Sequence, residues 1–211
     1  MNTRDGDYAA ACSLDFSKPP HYYDTFALRD SSGHEAATST FPFFRSQFSR
    51  DAIVSGEPVP VQSCWNGIVA FDAAPFYAEP QDGGPLEFRG ISDSLAKKHL
   101  EGSECCLVHV DNPLTKTRGV WQNPAVRVGY NPEAYEAVHT AQGGVWPGLR
   151  GCVVGVWRNR VARLMTNPWF KERIVKRRVM KWNEQTQEDE KGVSCLINEM
   201  QTLIINGWAH V

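Results

Sequence analysis

The chain is predicted to be an α/β protein. Short apolar runs bounded by turn formers read as buried strands at residues 8–16 (YAAACSLDF), 68–71 (IVAF) and 125–128 (AVRV). Segments with helix-start chemistry fall among them: Ser92 or Asp93 stands as N-cap for SLAKKHL, and Asn131-Pro132 opens EAYEAVH. Strands alternating with helices, in 211 residues of which 42% are hydrophobic and 11% aromatic, point to one substantial layered domain with a buried core.

Taken in order, residues 8–16 are a buried strand because the run is short and mainly apolar and the turn formers Ser17-Lys18-Pro19-Pro20 follow it. Residues 21–30 (HYYDTFALRD) are a mixed aromatic segment ending at the turn Ser31-Ser32-Gly33. Residues 41–53 are aromatic and basic without clean periodicity, which leaves loop or short helix, and Pro58 and Pro60 mark a break. The turn Trp65-Asn66-Gly67 feeds the strand IVAF, residues 72–76 open a helical turn, and 81–85 form a loop. The run CCLVHV (105–110) is predicted as a third strand stopped by Asp111-Asn112-Pro113, with a helix beginning near Ser103 as the open alternative. From residue 153 the character changes. Residues 157–181 hold nine cations against one acid, Glu172, residues 182–191 read as a polar loop, and CLINEMQTLIINGW (195–208) has helical spacing with a Gly207 stop. Residues 1–150 are thus the main α/β domain and 151–211 a basic, helical extension of it.

With 22 basic and 24 acidic residues the formal charge is −2, so no global field points to nucleic acid or membrane. No apolar run reaches the ~18 residues needed to span a bilayer. The opening MNTRDGDY lacks the apolar core of a signal peptide. Six cysteines without a CxxC pair argue against a zinc site and leave disulfides and free buried thiols both open; adjacent Cys105 and Cys106 do not easily serve one bridge. The basic segment, with Trp157 and Trp169, has a nucleic-acid reading, but a solvated cationic helix face toward an anionic glycan or membrane surface is the simpler one.

The pieces DGDYAAACSLDF, YYDTFALRD with SSGHE, SCWNGIVAFDAAPF, FRGISDSLAKKHLEGSECCLVHVDNP, NPAVRVGYN and CLINEMQTLIINGWAHV together resemble the fungal α-1,3-mannosyltransferases of the cryptococcal capsule-associated type, glycosyltransferase family 69. The resemblance implies a GT-A-like nucleotide-sugar transferase. It further implies GDP-mannose as donor, a mannose-containing glycan as acceptor, a divalent metal (Mn or Mg), and a type II Golgi membrane setting for the full-length family. Family members are longer, so the chain is expected to match the C-terminal portion of such an enzyme, with the N-terminal part and its acidic metal motif missing. An inactive fragment that binds glycan or a full-length relative is the alternative.

Within this frame Glu104 is the main catalytic candidate, with Asp93 as a fallback acid, because glycosyl transfer needs a carboxylate near the anomeric centre or the acceptor hydroxyl. Trp65, Asn66 and Gly67 would form an acceptor loop: an apolar ring face, paired amide groups, and close backbone approach. Their other reading is a buried Trp before an Asn-Gly turn. Arg29 and Arg89 would hold phosphate, and Asp24 and Asp30 sugar hydroxyls; structural ion pairs are the competing reading. His109 is the metal candidate, against a pairing with Asp111. Asp5-Gly6-Asp7 spells a DxD, but it precedes a strand instead of ending one, and a turn is the expected role.

Overall fold

The computed structural model describes residues 3–139, 147–198, 201–204 and 207–210. In chain order the elements are β1 (Ala10–Lys18), β2 (His21–Tyr22), β3 (Arg29–Asp30), α1 (Gln47–Ser55), β4 (Val59–Ser63), β5 (Val69–Phe71), α2 (Asp93–Ala96), β6 (Glu101–Gly102), α3 (Glu104–Asp111) and α4 (Thr115–Arg118). Then come β7 (Val120–Gly129), α5 (Pro132–Val138), α6 (Gly148–Met165), α7 (Trp169–Thr186), β8 (Leu196–Ile197), β9 (Gln201–Ile204) and β10 (Gly207–His210). The main sheet runs β2-β1-β7-β4-β3, with β5 also on β1. Among the described residues only β1 and β7 pair in parallel, Ala10 lying opposite Val120 and Asp15 opposite Val128. The architecture is mixed α/β, as the sequence predicts.

β1 is central, and residues from Ala10 to Phe16 are enclosed on both faces. A strand covered on both sides needs no polar alternation, hence the mainly apolar run, which only Ser13 and Asp15 interrupt. Its even residues join Tyr22, Leu28, Phe43, Phe44, Val59 and Val61 in the main core. Ser92 caps α2 by accepting the Leu95 N–H, and Asn131 caps α5 by accepting the Ala134 N–H, as their residue types require.

Three expectations are corrected. CCLVHV is helical, within α3, which overturns the strand and bears out the alternative of a helix beginning near Ser103. Four to eight apolar residues satisfy a buried strand and a buried helix equally. Here Ser103 holds the N-cap position and Cys106, Leu107, Val108 and His109 turn inward. The tail is not the expected helix either: Leu196 and Ile197 pair with Gly102 and Glu101, and β9 pairs with β10, which Gly207 begins instead of ending a helix. Residues 199–200 and 205–206 of that expectation lie outside the described residues. Finally, α7 continues to Thr186, because Trp182 is buried against Leu95 and Leu100 and holds the helix past the expected loop boundary.

Two disulfides tie distant parts together, Cys12–Cys64 and Cys106–Cys195, while Cys105 and Cys152 are free. The basic segment forms α6 and α7. It attaches where Gly155 lies against the Phe41 backbone and Asn159 donates to the Phe44 carbonyl at 3.2 Å. Its outer faces mix cations with exposed Trp157, Leu164, Met165 and Phe170, an apolar component the charge count alone did not reveal. No helix among the described residues is long and apolar enough to cross a membrane.

Candidate functional site

Carboxylates gather at the carboxyl ends of the parallel pair β1–β7, where loops leave the sheet and sites in α/β proteins are commonly built. Asp15, near the end of β1, has no solvent exposure. Its Oδ2 accepts the Tyr130 hydroxyl at 3.1 Å, and its Oδ1 the Asp24 N–H at 3.4 Å. Burial pushes its carboxyl up to about 6; the two hydrogen bonds oppose this and the neighbouring Asp24 charge adds to it. Asp24 is half-buried, accepts the Phe26 N–H at 3.1 Å, and is likewise raised, mainly by burial. Burial and the Asp15 charge push the Tyr130 phenol up to about 12. The rings of Tyr23 and Tyr130 lie 5.1 Å apart and are both exposed.

A polar layer supports the pair from inside. The Asn66 amide donates to the Asp24 carbonyl, the Gln122 amide donates to the Tyr22 hydroxyl, and Gln122 Nε2 reaches Asn66 Oδ1 at 3.3 Å. The result is one partly reachable carboxylate, one enclosed carboxyl that titrates near neutrality, and two aromatic rings open to a ligand. That combination suits proton transfer or charge stabilisation beside a sugar.

A second feature is a cavity of about 480 Å³ beside β3, walled by the loop at residues 32–37, Arg45, Gln62, the start of α7 and the segment 193–198. Arg29, 1% exposed, lines it. Its Nε donates to the Ser194 carbonyl at 2.5 Å, and its Nη1 to the Phe26 and Leu28 carbonyls at 2.8 and 2.9 Å. Its Nη2 is buried without a hydrogen-bond partner among the described residues. Asp30 does not face a ligand. Its carboxylate accepts the N–H groups of Ser32, His34, Arg45 and Ser46 at 2.9, 3.1, 3.1 and 2.6 Å, which shapes the cavity wall.

The other sequence candidates are placed as follows. Glu104 and Asp93 are exposed at the first turns of α3 and α2, and the charges of Glu104 and Asp24 both bear on the Cys105 thiol. Arg89 is engaged by acids instead of standing ready for phosphate: it donates to Asp111 at 2.6 Å and to Glu190 at 2.9 Å, and these hydrogen bonds raise its pKa. The loop Trp65-Asn66-Gly67 is largely structural. Trp65 packs on Phe71 and Phe88, Asn66 is fully buried, and a Cβ on Gly67 (φ +65°) would meet Val128 at 2.9 Å. Asp7 pairs with Arg118 at 3.2 Å, and Gly6 turns the chain into β1, so the DxD is a turn.

His109 is enclosed, stacked on Phe71, and donates Nε2–H to the Cys64 carbonyl at 2.7 Å; it does not pair with Asp111. Burial lowers its pKa to about 4. Its neighbours with ligand-type atoms are Cys12 and Cys64, whose sulfurs are bonded to each other. A manganese or magnesium ion prefers oxygen ligands, so the donor set at His109 does not fit it. Sequence reading missed Asp15 and Tyr130; the available signal was a lone acid inside an otherwise apolar strand.

The profile of the Cryptococcal mannosyltransferase 1 family matches residues 1–111. The chain belongs to that family. The matched stretch contains Asp15, Asp24, Arg29 and the cavity loop, whereas Tyr130 and the α7 wall lie beyond it. Neither the comparison with curated proteins nor that with solved structures found a match. Family membership makes the chain mannosyltransferase-related and gives the carboxylate pair a chemical context.

Proposed function

We propose that the chain transfers mannose from GDP-mannose to a mannose-containing glycan in α-1,3 linkage, or forms the acceptor-side portion of an enzyme that does. In this reading the fold is GT-A-like and the full-length protein sits at the Golgi membrane. The observation that carries the proposal is the Asp15–Asp24 pair in a chain of this family. In the reaction the bond from the anomeric carbon to the donor diphosphate breaks and a bond to an acceptor oxygen forms. The acceptor proton leaves with a base, and positive charge develops on the sugar ring. Asp24 is the reachable carboxylate for that base or for the ring charge. Asp15 beneath it holds Asp24 in place through its N–H. The exposed rings of Tyr23 and Tyr130 offer apolar faces to the sugar. A divalent metal, Mn or Mg, remains part of the proposal as the counter-charge for the diphosphate; it is not placed at His109 and no step is drawn through it.

The test is mannosyl transfer from labelled GDP-mannose to an α-mannoside with manganese. Asp24→Asn is expected to lower the rate by about 10²–10⁴ while keeping the melting temperature. A folded Asp24→Asn protein as active as the parent would sink the assignment. One observation favours a second reading. Glu104 and Asp93 are both exposed on the surface instead of enclosed in a site, which suits a non-catalytic glycan- or partner-binding fragment. That reading expects mannoside binding, or association with a full-length relative, without turnover.

A further inference from the structure

The carboxylate chemistry makes no use of α6 and α7, and their outer surface calls for a partner. The buried residues of α6 are Gly155 and Asn159, while its large apolar side chains, among them Leu149, Val153, Val156 and Trp157, stand exposed. An ordinary surface helix does the opposite. The exposure is strongest where α6 gives way to α7. Leu164 and Met165 are 81% and 80% exposed, and directly after the turn Trp169 and Phe170 are exposed too, their rings 4.8 Å apart. Cations flank this junction. Arg160 lies one turn before Leu164, and Arg173, Arg177 and Lys181 recur at four-residue spacing along α7, which places them on one face. Among the described residues none of these four has an acidic partner. Glu172, the one acid in residues 157–181, is engaged by His34 at 2.6 Å. Exposed Leu, Phe and Trp among Lys and Arg are the composition of helices that lie in a membrane interface: the apolar chains enter the acyl boundary and the cations meet anionic headgroups. Tryptophan settles at that depth. Other occupants fit less well. A second copy would set the same cation excess against itself across a two-fold axis. A nucleic acid would be held by charge and ring stacking. But Arg160 and Arg173 already lie over the Trp157 and Trp169 rings, at 5.1 and 4.6 Å, and Leu164 and Met165 would serve no purpose there.

We infer that the junction of α6 and α7 docks on an anionic lipid surface, with Leu164, Met165, Trp169 and Phe170 entering the interface and Arg160, Arg173, Arg177 and Lys181 meeting the headgroups. No helix among the described residues is long and apolar enough to cross a membrane, so these helices lie along the surface. The contact requires neither a spanning segment nor mannosyl transfer. The test is cosedimentation of the 211-residue chain with vesicles of phosphatidylcholine alone or mixed with phosphatidylserine, at low and high salt. Binding is expected to the phosphatidylserine vesicles, weakening as salt screens the headgroups, with phosphatidylcholine alone binding far less. The triple variant Arg173→Gln, Arg177→Gln, Lys181→Gln should weaken binding about a hundredfold. The double variant Leu164→Gln, Phe170→Gln should weaken it about tenfold although it changes no charge. All five side chains are exposed, so both variants should keep the parent's melting temperature. Should either fail to fold, quenching of the parent's tryptophan fluorescence by brominated lipid reads the insertion without a variant. The inference is overturned if the parent does not sediment with phosphatidylserine vesicles, or binds phosphatidylcholine alone as well. It is equally overturned if both folded variants bind as the parent does, or if brominated lipid leaves the fluorescence unchanged. A parent that dimerises through Leu164 and Phe170, or that binds polyuridylate in preference to vesicles, would give the surface to another occupant and overturn it too. Mannosyl transfer is read separately, so its presence or absence leaves this result intact.

Discussion

Asp15→Asn should make the protein more stable at neutral pH, although it removes a hydrogen-bonded group from the interior. The Asp15 carboxyl moves from an ordinary 3.8 to about 6 because burial disfavours its charge. Holding it ionised in the folded state therefore costs about 3 kcal/mol, at about 1.4 kcal/mol per tenfold change in proton affinity. The sign follows from proton binding. Between pH 3.8 and about 6 the folded protein holds a proton that the unfolded chain has released. The stabilising effect of the protonated group is complete below 3.8, fades as pH rises through about 6, and is gone above it. Asparagine cannot ionise and escapes the penalty. Its single carbonyl can still accept from Tyr130 or from the Asp24 N–H, and the poorer satisfaction of the other partner costs about 1 kcal/mol. The expected net effect is a gain of about 1–2 kcal/mol at pH 7.5 and a loss of about 1 kcal/mol at pH 4. Urea denaturation of both proteins at the two pH values reads this directly, and other titrating groups cancel in the difference. A variant destabilised equally at both pH values would refute the reasoning, since Asp15 would then ionise in the fold without penalty. A stabilised variant that also loses mannosyl transfer would mark Asp15 as strain kept for function.

Three further outcomes follow from the geometry. Gly67→Ala should cost about 2 kcal/mol or more by thermal denaturation, because a side chain at φ +65° is strained and its Cβ would press on Val128 and the Ser13 hydroxyl. The double variant Cys106→Ser, Cys195→Ser should be less stable than the oxidised parent by about 4 kcal/mol, since that bridge closes a separation of 89 residues; equal stability of oxidised parent and double variant would contradict it. Arg89→Met should cost about 2 kcal/mol at pH 7, less than a fully buried pair because the guanidinium is over a third exposed. The loss arises at Glu190. Burial pushes its carboxyl up, but Arg89 and the Gly192 N–H outweigh this and hold it below its usual value. Without Arg89 the group should titrate higher, and the deficit should shrink as pH falls and Glu190 protonates.

Local chemistry was legible wherever one residue type solves a local problem. Ser92 and Asn131 cap their helices because a side-chain oxygen must meet the free N–H groups of the first turn. Residues 8–16 announced a buried strand because both faces are covered. By contrast, CCLVHV carries too few residues to separate two apolar periods, and the tail's helical spacing yielded to pairing of Leu196 and Ile197 with β6.

The sequence alone determined a mixed α/β protein of the mannosyltransferase family, with its central strand, its capped helices and its cationic C-terminal segment. Which charges meet was decided only by the tertiary structure. Arg89 and Glu190 are 101 positions apart, and Asp15 and Tyr130 are 115 apart. Burial then assigned each group its role: it raised Asp15, kept His109 neutral and disulfide-flanked, turned Asp30 into a loop brace, and left Glu104 in solvent. Dielectric environment and hydrogen-bond partners belong to the folded neighbourhood and not to the residue, so a site made of long-range encounters has no local signature.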